Sequence, residues 1–279
     1  MQGSCLCATI RWRFDADFTR ATHCHCQLCR KAHGAPFGTY LIGERGAFSY
    51  LCGEDQIIGF ESSPGFIRSF CEVCGSVLPN PHFDDIVAIP AGVMDGDIGI
   101  APEAHIFVKA KAAWHPITDD LPQHDYYPEQ TAPAVETESF ADPNDGKLRG
   151  SCLCGDVAFE LSEQFMAVHN CHCSRCRKAR SAAYTANGLS RPQALRFTRG
   201  EDLVKVFFLP DAAYFATGFC TRCGSCMPLP DERLDLVFTP LGALDGVPDN
   251  GGDNHIHVGS KCDWYPITDD LPQFQGNPE

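Results

Sequence analysis

The chain has 279 residues and a formal net charge of −14, which argues against a phosphate-binding surface and so against nucleic acid as a partner. With 44% hydrophobic and 21% charged residues it reads as a soluble globular protein, and no apolar run approaches the ~20 residues of a membrane-spanning helix. Its 17 cysteines, an odd number, fit a closed disulfide framework poorly. The first motif starts at Gly3 with no room for a signal peptide, so a cytoplasmic location is expected, where clustered thiols bind metal or do chemistry.

The chain opens on Gly3-Ser4-Cys5-Leu6-Cys7, and residues 8–14 then alternate apolar and polar side chains as a half-buried strand does. Next comes Cys24-His25-Cys26-Gln27-Leu28-Cys29-Arg30-Lys31, three thiols spaced C-x-C-x-x-C and followed by two cations. Residues 31–36 predict a single helical turn, stopped by Gly34 and Pro36. Strands are expected at 37–42, 48–51, 57–60 and 66–70, separated by the Gly, Pro, Asp and Ser of an all-β domain. Cys71-Glu72-Val73-Cys74-Gly75 predicts a tight knuckle whose glycine takes the left-handed turn. Further strand-like runs at 86–90, 93–96 and 105–108 lead to a closing stretch from Trp114 to Gln123.

Everything then recurs. The second copy carries Cys152 and Cys154, then Cys171, Cys173, Cys176, Arg177 and Lys178, then Cys220 and Cys223, and closes from Trp264 to Gln273. The offset grows only from 147 at the triple-cysteine stretch to 149 at the knuckle and 150 at the end, so the copies share nearly all their loops. The expected organisation is a first domain over 1–123, an acidic, proline-containing linker over 124–147 and a second domain over 148–279. Tyr126, Tyr127 and Phe140 are the residues by which that linker would be anchored. Cys52, Cys226 and Cys262 have no counterpart in the other copy and stay unassigned, Cys226 favouring a buried apolar role.

Paired C-x-C and C-x-x-C grips converge on one tetrahedral ion in zinc ribbons. Cys5, Cys7, Cys71 and Cys74 are expected to form one closed four-sulfur site, and Cys152, Cys154, Cys220 and Cys223 the other, with iron as the alternative metal. Cys24, Cys26 and Cys29, and likewise Cys171, Cys173 and Cys176, lack an evident fourth protein ligand. Three ligands and a vacancy is the pattern of a catalytic site. Arg30 with Lys31, and Arg177 with Lys178, are expected to steady its negative charge and bind an anionic substrate. Two alternatives stay open: His25 or His172 closes the shell, or the thiols act as a redox pair. His105 and His255 are read as hydrogen-bonded structural residues, and the Thr-Asp-Asp-Leu-Pro runs as turn chemistry.

The motifs Gly-Ser-Cys-Leu-Cys, Cys-His-Cys-x-x-Cys-Arg-Lys and Phe-Cys-x-x-Cys-Gly-Ser, in that order and in both copies, resemble the glutathione-dependent formaldehyde-activating enzymes, whose relatives include centromere protein V. The resemblance implies a mainly β fold of two tandem Mss-four-like (β-tent) zinc-binding domains, with up to four zinc ions per chain. It implies that the four-cysteine sets are structural and the three-cysteine sets catalytic. The implied reaction is carbon–sulfur lyase chemistry, joining a small thiol such as glutathione, the co-substrate, to formaldehyde or a related aldehyde. Copy two departs from the family pattern after its trio, with Arg180 and Ser181 where copy one has His33 and Gly34. The competing expectation is a non-catalytic, zinc-stabilised interaction module; a homo-oligomer is compatible with either.

Overall fold

A computed structural model describes residues 1–128 and 146–278, so most of the expected linker, Phe140 included, lies outside the described residues. The chain is mainly β, in short strands that follow the expected ones closely. Arg11–Phe14 shows why: its residues alternate exposed and buried, with Trp12 and Phe14 fully inside.

In the first half a five-stranded sheet runs in the order Gln123–His124, Ala104–Ile106, Arg20–Cys24, Gly38–Glu44, Ile86–Pro90. Its central strand, Arg20–Cys24, pairs parallel with Ala104–Ile106, placing His105 opposite His23, and antiparallel with Gly38–Glu44. A four-stranded sheet holds Gln2–Ser4 beside Arg11–Phe14, and a separate hairpin joins Ile57–Ser63 to Phe66–Cys71. The second half repeats the five-stranded sheet with Ala167–Cys171 between Thr185–Ser190 and Asn254–Ile256.

The expected turn at 31–36 is corrected: helix α1 spans Gln27–His33 and starts inside the cysteine stretch, and α2 spans Ser174–Arg180. Cys26 is the residue that caps α1, its sulfur accepting from the Cys29 amide at 3.3 Å, and Cys173 does the same for Cys176. The C-x-C-x-x-C spacing therefore has a backbone reason. The first cysteine ends a strand, the second caps the helix, and the third lies in its first turn.

One buried apolar cluster runs through both halves, taking Trp12, Phe14 and Leu41 from the first and Phe159, Leu161 and Leu241 from the second. The halves are docked through their helices: α1 packs on the turn Leu241–Ala243 and α2 on the turn Ala91–Val93. Glycine makes this approach feasible. A Cβ on Gly242 would lie 2.4 Å from the Ala35 nitrogen, and one on Gly92 2.2 Å from the Ala182 nitrogen.

Candidate functional site

The four-thiol sets form as expected. The sulfurs of Cys5, Cys7, Cys71 and Cys74 all lie within 4.8 Å of one another, as do those of Cys152, Cys154, Cys220 and Cys223. Separations of 3.4 Å for Cys5–Cys7 and 3.8 Å for Cys7–Cys71 are far from the ~2.05 Å of a disulfide. They match the spacing of sulfurs around one tetrahedral ion at about 2.3 Å from each. Gly75 and Gly224 behind the knuckles have φ of 75° and 73°, and a Cβ on either would strike Phe219 or Phe70 of the opposite half. The knuckle of each four-thiol set therefore sits against the other half's aromatic ring.

Cys24, Cys26 and Cys29 also converge within 4.8 Å, and so do Cys171, Cys173 and Cys176. The trio offers donors to a metal ion without closing a tetrahedron. His25 and His172 are not among the residues that converge with either trio. The carboxylate of Asp119 accepts from His105 Nε2 at 3.0 Å, which leaves His105 Nδ1 to accept from His25 Nε2 at 2.7 Å. His172, His255 and Asp269 repeat this chain at 2.8 and 3.0 Å. Burial holds His25 down to about 2 and His172 to about 3, so both rings are neutral. The expected structural role of His105 and His255 follows from the same contacts, and the Asp-Asp runs supply their carboxylates as well as turns.

The first trio opens onto a cavity of about 940 Å³, with Cys24, Cys26 and Cys29 in its lining beside Tyr40 and Arg68. Arg68 is the cation hydrogen-bonded to this trio among the described residues, and no motif pointed to it. Its Nη2 donates to Cys29 Sγ at 3.5 Å, its Nη1 to the Tyr40 hydroxyl at 3.1 Å and its Nε to Ser62 Oγ at 3.1 Å. Burial alone would lower the guanidinium, but Cys29 and then Tyr40 outweigh it and raise it above its ordinary value. Tyr40 in turn donates to His33 Nε2 at 2.8 Å, because His33 Nδ1 donates to the Arg180 carbonyl at 2.7 Å. Hydrogen bonds with Cys24 and Cys26, with Arg68 assisting, hold the Cys29 thiol well below its ordinary range.

The lysines expected at the trios are elsewhere, which is a correction. Lys31 Nζ crosses to the second half, 2.8 Å from Ser151 O, 2.9 Å from Ser151 Oγ and 2.5 Å from Asp245 Oδ1. Lys178 crosses the other way to Ser4 Oγ at 2.5 Å and to Asp95. On a helix, residues two apart face away from each other, so a lysine two after the last cysteine cannot share its side. Arg30 and Arg177 are half-buried, each with a buried Nε that has no hydrogen-bond partner among the described residues. Burial lowers Arg30, and Cys26 acts against that.

The second trio has different neighbours. Thr217 stands where the first half has Arg68, Asn187 where it has Tyr40, and Arg180 where it has His33. Arg180 donates to Asn187 Oδ1 at 3.3 Å; burial lowers it to about 10, with Cys176 opposing. Each trio thus has one buried arginine, supplied by a strand in the first half and by the helix end in the second.

Residues 1–110 and 147–260 each match the family model described as glutathione-dependent formaldehyde-activating enzyme. A Schizosaccharomyces pombe protein named an uncharacterized lyase is 29% identical over 90 residues, which is 29% of this chain and 63% of the relative. The chain therefore spans less than two thirds of that relative's length. A solved structure of a Rhodobacter sphaeroides protein is 19% identical with a TM-score of 0.30, covering 37% of this chain and 98% of that one.

Proposed function

Because this chain belongs to the glutathione-dependent formaldehyde-activating enzyme family, we propose that it is a zinc-dependent carbon–sulfur lyase that joins a small thiol to an aldehyde, with the first trio as its centre. The observation that carries this reading is the placement of Cys24, Cys26 and Cys29 in the wall of a cavity that also presents Arg68 and Tyr40. The donor set fits zinc: four-thiol sets for structure and three-thiol sets that leave a position open. Four zinc ions per chain are the expected complement. When bound at the trio, zinc supplies Lewis acidity that lowers the pKa of a thiol brought to it.

The remaining work falls to this chain's own residues. Cys24, Cys26 and Cys29 would hold the ion, and Arg68, donating to Cys29, would steady their excess negative charge. The cavity holds thiol and aldehyde together, turning a bimolecular encounter into a local one. In the addition a sulfur–carbon bond forms, the carbonyl π pair moves onto oxygen, and the thiol proton ends on that oxygen. Tyr40, a protonated phenol hydrogen-bonded to His33, is the side chain placed to pass its hydroxyl proton to that oxygen as the thiol proton replaces it. The second trio lacks both partners, having Asn187 and Arg180, so we assign turnover to the first half.

The test is exchange-resolved NMR of formaldehyde and glutathione with catalytic amounts of zinc-loaded protein, beside a Cys24→Ser/Cys26→Ser variant. Interconversion of free and adduct forms faster than the uncatalysed rate, and lost in the variant, is the expected outcome. Identical exchange with and without wild-type protein, for formaldehyde and for larger aldehydes and with glutathione and simpler thiols, would leave a zinc-stabilised interaction module as the surviving reading.

A further inference from the structure

The cavity over the first trio has room for a thiol together with an aldehyde of more than one carbon. Its volume of about 940 Å³ lies near the top of the roughly 300–1,000 Å³ range of small-molecule pockets. Its walls are largely carbon, and they include two aromatic groups. Phe66 and Phe83 meet edge to face at 5.6 Å, and Phe107 meets Tyr127 at 5.0 Å and Tyr126 at 6.4 Å.

The cations of the lining each have a protein partner, and Asp125 adds a carboxylate beside them. Arg20 pairs with Glu103 at 3.2 Å, Lys109 donates to the Tyr126 hydroxyl at 3.4 Å, and Arg68 is held by Cys29, Tyr40 and Ser62. A cavity built to take only charged, hydrophilic reactants would present cations aimed at carboxylates. This one presents apolar rings, whose burial against a ligand is favourable in proportion to apolar area.

The second copy shows that this wall is not part of the zinc machinery. The Phe107–Tyr127 pair is replaced there by His257 and Asn277, which hydrogen-bond at 3.2 Å, and Tyr126 by Gly276. The backbone is the same in both copies, with Phe107 at φ 58° and His257 at φ 57°. The cysteines were retained in both halves while the Phe107–Tyr127 pair was not, so that pair serves something the cysteines do not; Phe66, by contrast, has Phe215 at its position.

We propose that the first-half site selects an aldehyde bearing a bulky apolar group, aromatic or branched alkyl, and that Phe107 and Tyr127 with Phe66 and Phe83 are its specificity wall. This rests on the lyase reading above and names its carbonyl substrate class. The bond changes are those of any thiol addition: the sulfur–carbon bond forms, the carbonyl opens, and the thiol proton passes to oxygen, with no redox partner needed.

The experiment compares phenylacetaldehyde with formaldehyde, using glutathione as the thiol in both arms, in wild type and in the Phe107→His/Tyr127→Asn variant. That variant imports a side-chain pair the second half already accommodates on the same backbone, and its melting curve checks folding. Wild type is expected to favour phenylacetaldehyde in kcat/KM, and the variant to lose that preference by on the order of tenfold or more, the scale of apolar-pocket discrimination. Calorimetry with two unreactive thioethers, S-(2-phenylethyl)glutathione and S-methylglutathione, reads the same preference without turnover. Formaldehyde preferred by wild type, or a ratio unmoved in the folded variant, overturns the specificity and leaves the lyase reading standing. No acceleration of either aldehyde and no binding of either thioether overturns both.

Discussion

The Lys31 ammonium of the first half lies 2.5 Å from the Asp245 carboxylate of the second, and the lysine side chain is 3% exposed. Lys178 and Asp95 make the reciprocal contact, but there the side chains are 20% and 43% exposed. The duplicated halves are thus held by a matched pair of ion contacts, one dry and one wet. Removing one partner of a buried pair strands the other in low dielectric, which costs about 3–5 kcal/mol, whereas exposed pairs contribute roughly 0–1 kcal/mol. Lys31→Met should therefore destabilise the chain several-fold more than Lys178→Met. Urea denaturation of the two variants checks the order, and equal losses would contradict it.

A second prediction concerns the guanidinium at the first trio. Arg68→Thr installs the residue that the second half has at this position, so the strand itself should tolerate it. It removes a charged hydrogen bond to Cys29 and leaves the Tyr40 hydroxyl without its donor. A hydrogen bond to a charged group contributes about 1.5–3 kcal/mol, so kcat/KM for adduct formation should fall roughly ten- to a hundredfold. Zinc content should hold, because the three sulfurs remain. Steady-state exchange rates and metal analysis on one preparation measure both, and an unchanged rate would remove Arg68 from the site.

The cysteine sets were legible because their close, regular spacing recurs through the duplication and lies within short local turns. Cys24, Cys26 and Cys29 follow the local path of strand end, cap and helix turn, so a run of six residues fixes them. Arg68 carries no such mark. It reaches Cys29 from a hairpin 39 residues further on, and only the tertiary fold brings the two together. Lys31 misled for the opposite reason: proximity along the chain suggested proximity in space, but helical geometry turns it to the other side. The Asp119–His105–His25 chain was half visible. His105 read as structural, while its two partners lie 14 residues ahead and 80 residues behind it.

Zinc removal should separate the two kinds of set. The four-thiol sets tie Gln2–Ser4 and its following turn to the end of strand Phe66–Cys71, so their loss releases distant segments at once. The trio closes only a local turn. Cys71→Ser should thus lower Tm sharply, and Cys24→Ser should leave Tm nearly unchanged while zinc per chain falls by about one ion. Native mass spectrometry and calorimetry on the two variants read stoichiometry and stability together. A steep Tm loss in Cys24→Ser would recast the trio as structural.

The last prediction is a pH dependence. His115 is pushed down to about 3 from its ordinary 6.5, chiefly by burial, with Lys111 and His105 adding to the shift and Asp269 and Asp119 opposing it. Its ring also lies over His25 at 5.9 Å and near Phe37 at 5.4 Å. Above pH 6.5 neither folded nor unfolded chain protonates this ring, and it leaves stability independent of pH. Between 6.5 and 3 the unfolded chain takes up the proton and the folded chain does not, so stability is lost as pH falls through that window. His115→Tyr, which copies Tyr265 of the second half, removes this group while leaving every cysteine in place. The drop in unfolding free energy between pH 7 and pH 5 should be smaller in the variant than in wild type. Parallel curves for the two proteins would mean that His115 is protonated in the folded chain, and that the acidic carboxylates near it outweigh its burial.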